Sequence, residues 1–185
     1  MQLIEGQTLQ TYPRTDVRAL AEIVRQAAVA VQAAHERGVI HRDLKPANLM
    51  VTGRAEAPHV YVMDFGLAKS TEIGSAISMS GVVMGTPAYM PPEQARGRSK
   101  EVGARSDVYA LGATLYELLA DRAPFAGPNA FEILRKVVEE EPRSPRRYGV
   151  RADADLETIV LKSLEKDPMR RYGSARELAE ELARW

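Results

Sequence analysis

The chain has 185 residues, enough for one domain with a sizeable core. Its 25 Lys and Arg balance 25 Asp and Glu, so bulk charge draws it neither to nucleic acid nor to an anionic membrane surface. It has no cysteine, which excludes a disulfide framework and a thiolate metal site and fits a reducing, cytoplasmic setting. No apolar run approaches the ~20 residues of a membrane span, and the start carries no signal-peptide pattern.

In chain order, Met1–Glu5 reads as a short apolar strand ended by Gly6, and Thr8–Tyr12 as one helical turn before Pro13. The spacing from Asp16 to Arg37 predicts a long helix. Asp16 suits its amine end, and Leu20, Ile23, Val24, Ala27, Val31 and Ala34 recur at three- and four-residue steps. Gly38 supplies a left-handed stop. Leu49–Val51 and Val60–Met63 read as two strands joined by a loop, Thr52–His59, that contains Gly53 and Pro58.

Between helix and hairpin lies His41-Arg42-Asp43-Leu44-Lys45-Pro46-Ala47-Asn48, and directly after the hairpin comes Asp64-Phe65-Gly66. The hairpin presents Asn48 at its start and Asp64 at its end. A carboxylate (Asp43), an ammonium (Lys45) and an amide (Asn48) thus share one turn, with a second carboxylate nearby. This is the equipment of phosphoryl transfer: Asp43 orients the attacking hydroxyl and accepts its proton, Lys45 neutralises phosphate charge, and Asn48 with Asp64 holds Mg²⁺. Two hard oxygen donors suffice, because phosphates and water complete the octahedron.

Residues 67–84 are small, polar and rich in Ser and Gly, and they lead into Gly85-Thr86-Pro87-Ala88-Tyr89-Met90-Pro91-Pro92-Glu93. An apolar helix is expected from Ser106 to Leu119, with Asp107 in a first turn that favours a carboxylate. Pro124 and Pro128 break the chain before helices at Asn129–Glu140, Asp155–Lys166 and Ser174–Arg184. The cluster Arg143, Arg146 and Arg147 reads as a solvated loop.

These motifs, in this order, resemble the catalytic loop, metal loop and activation segment of eukaryotic-type (Hanks-type) serine/threonine protein kinases, and Pro92-Glu93-Gln94-Ala95-Arg96-Gly97 resembles the bacterial members. Lys45 is similar to the serine/threonine-specific members. Pro91 departs from the family's Ala-Pro-Glu, but Glu93 is retained. The resemblance implies a mainly α fold with a small β-hairpin, the C-terminal lobe of a kinase. Its parts are a hinge and following turn (1–12), a catalytic loop (41–50), an activation segment (64–93) and a helical subdomain (106–185). No Gly-rich phosphate loop occurs and no Lys precedes His41, so the N-terminal lobe is expected to be absent.

Residue by residue, the resemblance implies ATP and Mg²⁺ as cofactors and a protein as substrate. The backbone of Gln2 and Ile4 would meet adenine, with Leu9 and Met50 below the ring. His41 would pack inward, and Arg42 would receive a phosphate carried on Thr71, Ser75, Ser78 or Ser80. Thr86 would lie near Asp43 and Lys45, Glu93 would pair with Arg171, and Asp107 would accept backbone N–H groups of the catalytic loop. The expected function is ATP-dependent phosphorylation of protein Ser/Thr hydroxyls. The alternative is a non-catalytic, regulatory kinase lobe. An uncovered face at Met1, Leu3, Ile4, Leu9 and Met50 is expected as well.

Overall fold

The computed structural model describes residues 6–54, 57–65, 87–148 and 152–185. Among them are helices α1 (Val17–His35), α2 (Pro92–Ala95), α3 (Ala104–Ala120), α4 (Ala130–Glu139), α5 (Ala154–Ser163) and α6 (Ala175–Arg184). Strands β1 (Gln7–Thr8), β2 (Leu49–Arg54) and β3 (Ala57–Val62) form one antiparallel sheet in the order β1-β2-β3. The architecture is mainly α with a small sheet, the class read from the sequence.

Helix α3 is the axis of the core. Its apolar residues surround the helix instead of lining one stripe, and 14 of its 17 residues are buried, the state of a helix covered on all sides. α1, α5 and α6 pack against it. At the α3–α5 crossing, a Cβ added to Gly112 would lie 2.4 Å from Ser163 Cβ, so the two helices approach through a missing side chain. Gly112→Ala is therefore expected to lower stability by about 1–3 kcal/mol through overpacking, measured as a drop in the urea midpoint.

α1 turns the buried side chains Leu20, Ile23, Val24, Ala27 and Val31 into the core, and each of the four larger ones contributes roughly 1.5–3 kcal/mol. Asp16 caps it by accepting from the N–H groups of Arg18 and Ala19. The chain leaves it through Gly38 at φ +74°. The expected start one residue early, at Asp16, and end two residues late, at Arg37, are differences of fraying, not of placement.

The hairpin is longer than expected. Strands reach Arg54 and restart at Ala57, with Gly53 paired to Pro58 in continuous register from Leu49↔Val62 to Arg54↔Ala57. Pro58 reads as a loop signal, yet here its missing N–H points away from β2 and breaks no ladder bond. That outer edge faces α1, where Gln26 acts as a substitute strand: its Nε2 donates to Pro58 O at 2.9 Å and its Oε1 accepts from Val60 N at 3.2 Å. A second correction concerns Leu9. It is fully buried in the core, with its N–H donating to Leu49 O at 2.7 Å, so it lies neither on an open face nor against a ligand. Met50 is half-buried on β2 beside Thr8 of β1. Met1, Leu3 and Ile4 lie outside the described residues.

Candidate active site

The segment from His41 to Asn48, the expected catalytic loop, is held from three directions. From α3, the buried carboxylate of Asp107 accepts the His41 N–H (2.8 Å) on Oδ2 and the Arg42 N–H (2.9 Å) on Oδ1. From the end of α1, His35 Nε2 donates to the same Oδ2 at 2.7 Å, and among the described residues its Nδ1 is buried without a partner. The carboxylate accepts only, which assigns the proton to His35 Nε2. From just past the end of β3, Met63 O accepts from His41 Nε2 at 2.8 Å. Nδ1 of His41 faces the Asp43 N–H at 3.3 Å, and its ring lies 4.8 Å from Phe65. His41 is 2% exposed, so this imidazole is committed on every side.

These restraints maintain a backbone that the residues alone would avoid. Arg42 and Asp64 have φ of +69° and +59°. The left-handed region costs a non-glycine residue about 1–3 kcal/mol and persists only where surrounding structure imposes it. At both positions the effect is to aim the next or own carboxylate outward.

Asp43 emerges from this frame partly exposed. Lys45 Nζ donates to its Oδ2 at 2.9 Å, and Asn48 Nδ2 donates to its backbone O at 2.8 Å and to Oδ2 at 3.3 Å. The turn Pro46–Asn48 that makes this possible is a single 3₁₀ turn opened by Pro46 and closed by the Asn48 N–H to Lys45 O. Because Nδ2 of Asn48 serves Asp43, its Oδ1 is left for a cation. The Met63 N–H donates to Asn48 O at 2.9 Å, which extends the hairpin by one bond and brings exposed Asp64 to the end where Asn48 sits. One amide oxygen and one carboxylate are a donor set that fits a hard divalent cation keeping water and phosphate ligands. Among the described residues no cluster of three His, Asp or Glu offers a fuller metal cage.

Beyond the loop, Glu93 and Arg171 form a bidentate pair, Nη1 to Oε1 and Nη2 to Oε2, both at 2.8 Å. Arg171 also donates to the carbonyls of Arg105, Glu165 and Lys166, and Ser106 Oγ donates to Glu93 Oε1 at 2.7 Å. Burial pushes the Glu93 carboxyl up, but the Arg171 hydrogen bonds and charge and the Ser106 hydroxyl outweigh it and hold it below its ordinary value of 4.5. Tyr89, in the turn Pro87–Tyr89, donates its phenol to Glu117 Oε2, and Arg14 Nη2 donates to Glu117 Oε1 at 3.1 Å. Burial first, and then this carboxylate, push the Tyr89 phenol up.

The structure therefore brings together Asp43, Lys45 and Asn48, sets Asp64 at the same end of the hairpin, and joins Asp107 to the loop and Glu93 to Arg171. Gln2, Ile4, Thr71, Ser75, Ser78, Ser80 and Thr86, as well as Gly66 of the metal loop, lie outside the described residues. Two participants escaped the sequence reading. His35 looks like the polar close of a helix, and Gln94 like an ordinary helix residue; nothing in their spacing announces a partner far along the chain.

The chain matches the family described as protein kinase domain over residues 1–182. Serine/threonine-protein kinase PknB of Mycobacterium tuberculosis is 40% identical to it over 190 residues, covering 100% of this chain and 29% of that protein. PknB of Mycolicibacterium smegmatis is 39% identical over 189 residues with the same coverage. A probable serine/threonine-protein kinase of Streptomyces coelicolor is 38% identical over 183 residues, covering 96% of this chain and 26% of that protein. The chain thus spans less than a third of the length of these curated relatives. Among solved structures, Rad53 1-466 in complex with AMP-PNP shares the fold, with a TM-score of 0.78 at 23% identity over 98% of this chain and 45% of that one. With its sequence matched almost end to end, this chain belongs to the protein kinase family, and these relatives are bacterial serine/threonine kinases of the Hanks type.

Proposed function

We propose that this chain carries the catalytic loop of a serine/threonine protein kinase that transfers the γ-phosphoryl group of ATP to protein hydroxyls. The observation that carries this reading is the Lys45–Asp43–Asn48 cluster, one carboxylate held by an ammonium and an amide in a turn open to solvent. Asp43 accepts the proton of the attacking hydroxyl. Lys45, already beside it, places positive charge where the transferring phosphoryl passes. Asn48 and Asp64 would hold Mg²⁺, which when bound neutralises charge on the phosphate oxygens. Met50 and the backbone of Gln2 and Ile4 would line the adenine.

In this reading the described elements form the C-terminal lobe of the kinase domain, with a hinge over 1–12 and an activation segment over 64–93. Arg42 would take up a phosphate on Thr71, Ser75, Ser78 or Ser80, since guanidinium forks onto phosphate oxygens. Thr86 would bond near Asp43 and Lys45. Action in the cytoplasm, where ATP is supplied, belongs to the same proposal. Among the described residues no helix is long and apolar enough to cross a membrane.

The test is transfer of labelled phosphate from Mg²⁺-ATP to a generic basic protein by the whole protein that contains this chain, followed by phosphoamino-acid analysis. Label on Ser and Thr that is lost on adding excess chelator is expected. ATP binding with no transfer to any acceptor would favour the regulatory-lobe alternative.

A further inference from the structure

The peptide unit between Arg42 and Asp43 is gripped at both of its polar ends. Its N–H faces His41 Nδ1 at 3.3 Å, and its C=O accepts a hydrogen bond from Gln94 Nε2 at 3.2 Å. Gln94 belongs to α2, an element separate in sequence from everything else that holds the loop, and it is 9% exposed. Only the amide's N–H end is able to serve a carbonyl, so its Oε1 faces the other way, and among the described residues that oxygen is buried without a partner. An unpaired buried amide oxygen lowers stability, and an apolar side chain of equal length would fill the position without that loss. Packing therefore does not account for Gln94, whereas the contact with Arg42 does.

We propose that Gln94 is a positioning residue for the phosphotransfer reaction. It fixes the plane of the Arg42–Asp43 peptide and so the direction in which the Asp43 carboxylate leaves the backbone. The left-handed Arg42 makes this necessary. Asp107 fixes the N–H on its near side, at 2.9 Å, but a residue with φ +69° is unsupported beyond that point unless its carbonyl is also held. Gln94 and Asp107 thus clamp one residue from two helices, and the same small cavity is lined by both together with Arg42 and Asp43. The role rests on Asp43 being the proton acceptor. The clamp itself does not.

Two variants of the whole protein test it, each with two readouts. Gln94→Met keeps length and removes the donor. It is expected to lower kcat about 3–10-fold, the weight of one net hydrogen bond, with KM for ATP unchanged, no fall in melting temperature, and amide exchange at Asp43 at least about tenfold faster. Gln94→Glu sets a carboxylate against the carbonyl; its deficit is expected to shrink as pH falls from 8 to 6, because the protonated acid donates again. A kcat within twofold of wild type in both variants overturns the positioning role, and so does reduced kcat with unchanged exchange at Asp43. If wild type transfers no phosphate under any condition, the function proposed above fails, and amide exchange alone then decides the clamp.

Discussion

Asp43→Asn is expected to lower kcat for phosphotransfer by about 10²–10⁴-fold, the range that a positioned general base contributes. The substitution is close to isosteric, and an amide oxygen still accepts from Lys45 Nζ, which lies 2.9 Å from Oδ2 in the native site. What disappears is the ability to take a proton. Because the side chain is about one-third exposed and Asn48 holds its backbone O independently of the carboxylate, the fold is expected to be unaffected. The check is a pair of measurements on the same preparation, kcat with saturating Mg²⁺-ATP and a melting curve. A large loss of kcat with an unchanged melting temperature assigns Asp43 to the chemistry. An unchanged kcat would move proton acceptance to another group and remove the central residue of the proposed mechanism.

Arg171→Leu is expected to destabilise the protein by about 3–5 kcal/mol, because it strands the Glu93 carboxylate at 2% exposure. Three backbone carbonyls lose their donor at the same time. Glu93→Gln, which keeps a neutral acceptor for Ser106, is expected to cost less, and combining it with Arg171→Leu to recover part of the loss, since no buried charge remains. The pair also sets an acid limb of stability. Glu93 has a folded-state pKa held below 4.5, so its stabilisation is complete above that pH and is lost as pH falls through the lowered value. Urea midpoints measured from pH 6 downward should fall more steeply below pH 4.5 in wild type than in Glu93→Gln. Equal slopes would mean that other carboxylates govern acid unfolding.

The helices were legible because their signals are local. A cap at Asp16 and an apolar repeat from Leu20 to Val31 need no distant partner to be read. The meeting of Asp43, Lys45 and Asn48 was legible for the same reason: the three occupy one turn. The hairpin was misjudged because Pro58 is a loop signal on its own and becomes acceptable only when the outer edge of β3 meets Gln26. Leu9 was misjudged because the side of a turn that faces the core is decided by what packs there, and β2 with the catalytic-loop turn packs there.

By itself, then, the amino-acid order determined the helix-rich class, the chemical inventory of the catalytic turn and the balance of charge, all properties of neighbouring residues. Only the tertiary structure decided that His35 and Asp107 share one proton bridge, that Gln94 reaches Arg42 and that Glu93 and Arg171 lock together. These partners are 72, 52 and 78 residues apart along the chain. A hydrogen bond acts over about 3 Å, so no local pattern records it until the core around α3 has closed and brought the two ends within reach.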